Sequence, residues 1–160
     1  VICNLGIDIA LISWHQAVDL IGYQGSVNPK GLLRGEYYSP KPSFYAYQRL
    51  CSIFTGDVKA DSWSWTTEEE EITGYSFANT KGQRLFAYWR PGDIFDEKWY
   101  ETVTLRLSGV DTEILLVDLL NGGVYLCQGQ EQDDSVSFHV PVGDYPLLLA
   151  DRKVILYHSS

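Results

Sequence analysis

Along the chain, apolar and polar positions change rhythm once, near Thr55-Gly56-Asp57. Before that point the pattern predicts one apolar strand, a Gly- and Pro-rich loop and one helix. After it, nearly everything follows the two-residue period of strands. Within 7–20 (IDIALISWHQAVDL), the run Ile9-Ala10-Leu11-Ile12 is apolar on both faces, as a buried parallel strand is. Polar and aromatic groups gather at its carboxyl end, in Ser13-Trp14-His15-Gln16. The stretch 22–31 (GYQGSVNPKG) has the punctuation of a loop. Ser39-Pro40-Lys41-Pro42-Ser43 then opens a helix, with Pro42 in the first turn, where its missing N–H costs nothing. Phe44, Tyr47, Leu50, Cys51 and Phe54 give that helix one apolar stripe, and Gly56 is placed to close it. A strand, a long loop and a helix make one βα unit. Such a unit cannot cover both faces of its strand, so the pattern implies neighbours that this sequence does not contain.

Beyond Val58 the segments are short and punctuated by turns. The stretches 72–79 (ITGYSFAN) and 83–90 (QRLFAYWR) flank Thr80-Lys81-Gly82 and predict a hairpin. In 102–107 (TVTLRL), Val103, Leu105 and Leu107 alternate with Thr102, Thr104 and Arg106, which fixes one buried and one solvated face. Further strands are predicted at 113–119, 124–128, 135–140, 145–150 and 154–157, about eight in all, at the spacing of an antiparallel sandwich. The fold class expected is therefore mainly β: an antiparallel β-sandwich preceded by one βα unit. The run Glu68-Glu69-Glu70-Glu71 reads as a solvated loop, since a calcium site needs oxygens converging from several directions.

Composition narrows the function classes. The 160 residues, 18.1 kDa, are enough for one domain with a real core, and no apolar run approaches the ~20 residues of a membrane span. A formal net charge of −9 repels phosphate backbones and anionic lipid, which speaks against nucleic-acid and membrane partners. There is no Met, so the sequence reads as a processed form or a piece of a longer reading frame, and 1–10 has no signal-peptide pattern. The compartment stays undetermined. Cys3, Cys51 and Cys127 are far apart, show no CxxC spacing, and are expected as buried thiols acting as small hydrophobes. With three dispersed His and no Cys pair, no metal and no cofactor is expected.

Eleven Tyr and five Trp suit either sandwich cores or surfaces that stack on sugars. Trp63 and Trp65, two apart, project to one face if they lie on a strand. They fit a pair of core aromatics sealing the sandwich against the helix better than a sugar-stacking strip, because large aromatics usually serve packing. Trp99-Tyr100 reads as a loop anchor or a ligand edge.

The order Trp14, Asp19, Gly31-Leu32-Leu33, Pro40-Lys41-Pro42-Ser43-Phe44-Tyr45-Ala46 resembles the end of a clan-A glycoside hydrolase. In that clan the eighth barrel strand ends in a Trp, a loop with a Gly-Leu pair follows, and a Pro-Lys-Pro-Ser-(aromatic)-Tyr-Ala segment opens the last helix. A small β-sandwich often comes after the barrel. The resemblance implies that 1–55 is the last strand, loop and helix of a (β/α)8 barrel and 56–160 an accessory sandwich. It implies a glycosidase acting on O-glycosidic bonds of a plant- or microbe-type glycan, with carbohydrate and the remainder of the barrel as partners. By position at the barrel mouth, Trp14 is expected as a sugar platform, and His15 and Asp19 as groups that bind sugar hydroxyls. Retaining hydrolysis needs two carboxylates flanking the bond, and in the clan these close the fourth and seventh strands. Neither position falls in this sequence, and Glu36 matches neither motif, so no catalytic residue is expected in this chain. The alternative is a non-catalytic carbohydrate-binding sandwich module, or a pure interaction domain. An apolar strand and an amphipathic helix before the sandwich favour the barrel end over a linker.

Overall fold

The computed structural model describes residues 1–7, 9, 16–23, 25–92 and 101–155. The expected strand at 9–12 and the pair Trp99-Tyr100 lie largely or wholly outside the described residues. In chain order the elements are helix α1 (Ile2–Gly6), a small hairpin β1 (Leu20–Tyr23) and β2 (Ser26–Asn28), and helix α2 (Pro42–Ile53). There follow β3 (Lys59–Ala60), β4 (Trp65–Thr67), β5 (Thr73–Ala78), β6 (Arg84–Trp89), β7 (Glu101–Ser108) and β8 (Glu113–Asp118). The chain continues through β9 (Val124–Gln128), β10 (Gln130–Gln132), β11 (Ser135–Val142), β12 (Leu147–Ala150) and helix α3 (Arg152–Ile155). The fold is mainly β and its sheets are antiparallel, as the alternation predicts. One sheet runs β10-β11-β7-β4 and the other β3-β5-β6-β12-β8-β9.

Side-chain parity places two apolar layers. Phe86 and Tyr88 of β6, Leu147 and Leu149 of β12, and Ile114 and Leu116 of β8 meet Val103, Leu105 and Leu107 of β7 and Phe138 and Val140 of β11 between the sheets. The alternate residues Leu85, Ala87, Leu148, Ala150 and Val117 point the other way, and Ile2 of α1, Leu50 of α2 and Val154 of α3 cover them. The order is thus sheet, sheet, helix layer. Arg49 fixes α2 to the sandwich by donating from one guanidinium nitrogen to the carbonyls of Leu119 (3.0 Å) and Leu120 (2.8 Å).

Several expectations need correction. The stretch at 154–157 begins as helix α3, not a strand: Val154 N–H donates to Asp151 O, and Val154 packs on the outer face of the larger sheet. Helix α2 ends before Gly56, because the Phe54 ring is drawn edge-on against Phe77 (4.9 Å between centroids, 84°) and the chain leaves the helix there. The stretch 22–31 contains most of the β1–β2 hairpin rather than loop alone. Cys3 and Cys51 are exposed and Cys127 half-buried. Cys51 falls off the buried stripe, which Tyr47, Leu50, Ile53 and Phe54 form instead. Trp63 and Trp65 are core aromatics, but they pack between the two sheets against Phe86, at 5.7 and 4.9 Å, and not against the helix.

Candidate functional site

The residues that carry chemistry before the sandwich are brought together by a knot of three chain segments. Val18 bridges Leu33 in parallel and Leu33 bridges Pro40 antiparallel. Leu32 and Leu33 both donate to Ala17 O, Asp19 N–H donates to Leu33 O, and Lys41 N–H donates to Leu32 O. Gly31 lies so close to the first segment that a Cβ there would sit 2.3 Å from the Asp19 nitrogen and 2.4 Å from the Val18 carbonyl carbon. Only glycine permits that approach.

At the centre of the knot, Asp19 Oδ1 accepts from Lys41 Nζ at 2.6 Å and from Gly31 N–H at 2.9 Å. Lys41 Nζ also donates to Pro29 O (2.9 Å) and Gly31 O (3.1 Å), which uses all three of its hydrogens. Asp19 is buried. Lys41 occupies the N-cap of α2, where the helix dipole disfavours a cation. That placement is the sequence signal for a carboxylate partner, and the partner is Asp19. Of the residues expected to touch sugar, Asp19 alone is among those described, and its carboxylate is engaged within the fold. Trp14 and His15 lie outside the described residues.

The knot has a pH signature. The Lys41 ammonium, bonded to the carboxylate, is the main cause holding the Asp19 carboxyl below its ordinary 3.8; burial opposes this, and the Gly31 N–H adds to it. A depressed folded pKa contributes stability above the unfolded value, and that contribution is lost as pH falls through the folded value. Asp19→Asn should therefore lower the melting temperature near neutral pH. The gap to the parent chain should close as pH is taken below 3.8. A gap that stayed constant across that window would mean the pair contributes nothing through charge.

Beyond the knot, the turn after Leu33 is closed by Arg34 N–H donating to Ser39 O (2.9 Å) and Tyr38 N–H to Arg34 O (3.0 Å). The Arg34 guanidinium reaches over to Pro40 O at 3.0 Å. Tyr38 sits at φ 53°, a left-handed conformation that costs a bulky residue about 1–2 kcal/mol. Glu36 lies on this exposed turn. Among the described residues no group of three or more His, Cys, Asp and Glu is placed to hold a metal ion.

A scan against protein-family models finds no match to this chain, and a search of curated proteins returns nothing similar to it.

Proposed function

We propose that the chain is the C-terminal portion of a glycoside hydrolase of the clan-A type. On this reading 1–55 closes the catalytic barrel as its last βα unit, and the sandwich is a structural accessory that holds the end of the barrel. The observation that carries the proposal is the knot. The separate pieces on which the resemblance rests are tied together around Lys41: its ammonium bonds Asp19 and Gly31, its backbone N–H bonds Leu32 O, Pro40 bridges Leu33, and α2 starts at Pro42. A linker before a binding module has no use for such a device. The pair best placed to serve as a stacking strip on the sandwich, Trp63 and Trp65, is turned into the core, which leaves the binding-module alternative without that platform.

Catalysis then belongs to two glutamates contributed by other strands of the barrel, one protonating the leaving oxygen and one attacking the anomeric carbon. The chain alone should show no turnover of aryl β-glycosides. The protein extended by the coding sequence upstream of Val1 should hydrolyse them, with a Glu closing an apolar strand in the added segment. Turnover by the 160-residue chain that survives repurification and disappears in Glu36→Gln would sink the proposal, as would a stop codon immediately upstream.

A further inference from the structure

The turn that follows the knot displays Tyr37 and Tyr38 at 82% and 66% exposure, the two most exposed aromatic rings among the described residues. Exposed rings are ordinary on a mobile loop, but this turn is held on three sides. Its ends are joined by the Arg34–Ser39 and Tyr38–Arg34 backbone bonds, and the Arg34 guanidinium clamps its exit at Pro40. Underneath, Gly35 rests on the β1–β2 hairpin so closely that a Cβ would meet the Ile21 side chain at 2.6 Å and Asp19 O at 2.8 Å. The turn is thus seated on the backbone of the residue that Lys41 anchors. A left-handed tyrosine is the opposite of what a turn requires for its own stability, since Gly or Asn adopts that conformation without strain. Strain, rigid support and ring exposure coincide on adjacent residues, and most of the surface of both is open to solvent.

We propose that Tyr37 and Tyr38 form a saccharide-binding platform, with the Glu36 carboxylate beside them as an acceptor for sugar hydroxyls. This rests on the glycosidase reading and deepens it by adding a contact outside the catalytic centre. The chemistry selects the ligand class. Aromatic faces take up the C–H side of a pyranose ring, and phenol and carboxylate groups take up its hydroxyls. A net charge of −9 and a carboxylate within the turn turn away phosphate-bearing ligands, so the saccharide is a neutral one. Two rings carried on a clamped backbone bind with less ordering cost than rings on a flexible loop.

The test is calorimetric titration of the 160-residue chain with xylohexaose, mannohexaose and cellohexaose, on the parent and on Tyr37→Ala and Tyr38→Asn. At least one hexasaccharide should bind. Each substitution should weaken that binding about tenfold, the loss of one ring contact with its buried area. Tyr38→Asn should leave the melting temperature unchanged or raise it, because Asn tolerates the left-handed conformation. Binding that is indifferent to both substitutions, or no binding of any of the three sugars, overturns the platform. A Tyr38→Asn variant that unfolds more easily assigns the ring a structural role and overturns it too. Failure of the glycosidase reading is scored separately, by the absence of hydrolysis in the upstream-extended protein. If that protein is active and the rings are shielded from nitration by tetranitromethane without sugar present, the tyrosines contact protein and the platform falls alone.

Discussion

Replacing Phe86 with alanine should remove about 3–5 kcal/mol of stability, the range for emptying a large aromatic from a closed core. Phe86 has no exposed surface and stands on β6, which is paired on both sides, by β5 and β12. Its ring touches Trp65 at 4.9 Å, Trp63 at 5.7 Å and Tyr88 at 6.0 Å between centroids, so three other aromatics line the space it would leave. They are poorly free to follow it inward. The Trp63 indole N–H is directed at Phe77 O, and the Arg84 guanidinium lies over the same indole at 5.5 Å. The Tyr88 hydroxyl is tied to Pro141 O at 2.9 Å. An apolar cavity of that kind stays dry, so water does not offset the loss. Against a domain stability of about 5–15 kcal/mol, the variant should sit near the edge of folding. Urea unfolding of Phe86→Ala and the milder Phe86→Leu measures it, with the leucine expected to recover most of the difference. A loss below about 1 kcal/mol in the alanine variant would mean that Trp63 and Trp65 collapse into the gap.

The same core shows what the sequence could and could not yield. In β7, Val103, Leu105 and Leu107 alternate with polar residues because the other side of the smaller sheet faces solvent, and the alternation was legible. The stretches 85–89 (LFAYW), 114–117 (ILLV) and 147–150 (LLLA) do not alternate. Such continuous runs mark burial on both faces, and the second face exists because α1, α2 and α3 lie on the larger sheet. Strands β3, β4 and β10 have 2, 3 and 3 residues, too few for any period to appear. For Trp63 and Trp65, spacing told that the rings share a face. Parity alone does not say whether that face meets a helix or another sheet. The helix from Pro42 was legible because its stripe and its proline are local. The Asp19–Lys41 pair spans 22 positions, and only the unfavourable place of a lysine at a helix start pointed to it. Nothing in the sequence singles out the Tyr37-Tyr38 turn, because neither residue matches a motif and the strain at Tyr38 is a property of the backbone that composition does not carry.

A second large loss is expected from Asp118→Ala, about 2–4 kcal/mol, and nearly all of it should return in Asp118→Asn. Asp118 is 1% exposed at the end of β8, where the chain turns through Leu119-Leu120-Asn121-Gly122-Gly123 into β9. Its Oδ1 accepts from the backbone N–H groups of Leu120 (2.8 Å) and Asn121 (3.3 Å), and its Oδ2 accepts from the Tyr145 hydroxyl (3.2 Å). Alanine removes the acceptor from all three donors at once, and the penalty for a donor left without a partner exceeds the net gain of the bond when made. Asparagine keeps an oxygen for the two N–H groups and presents an NH₂ that the Tyr145 oxygen can accept, so the shape and most of the bonding survive. Charge should then be visible separately from bonding. Burial first, and the Asp118 carboxylate second, push the Tyr145 phenol above its ordinary 10.0. In Asp118→Asn the phenol should ionise at lower pH than in the parent while stability is kept, which ultraviolet titration of tyrosine can follow. The turn is also where Arg49 of α2 takes the carbonyls of Leu119 and Leu120, so loosening it in Asp118→Ala should raise hydrogen exchange in the second half of α2 before the sandwich strands respond. If exchange in β7 and α2 rose together, the helix layer and the sandwich would form one cooperative unit, and Asp118 would stabilise the whole chain instead of the seat of the helix.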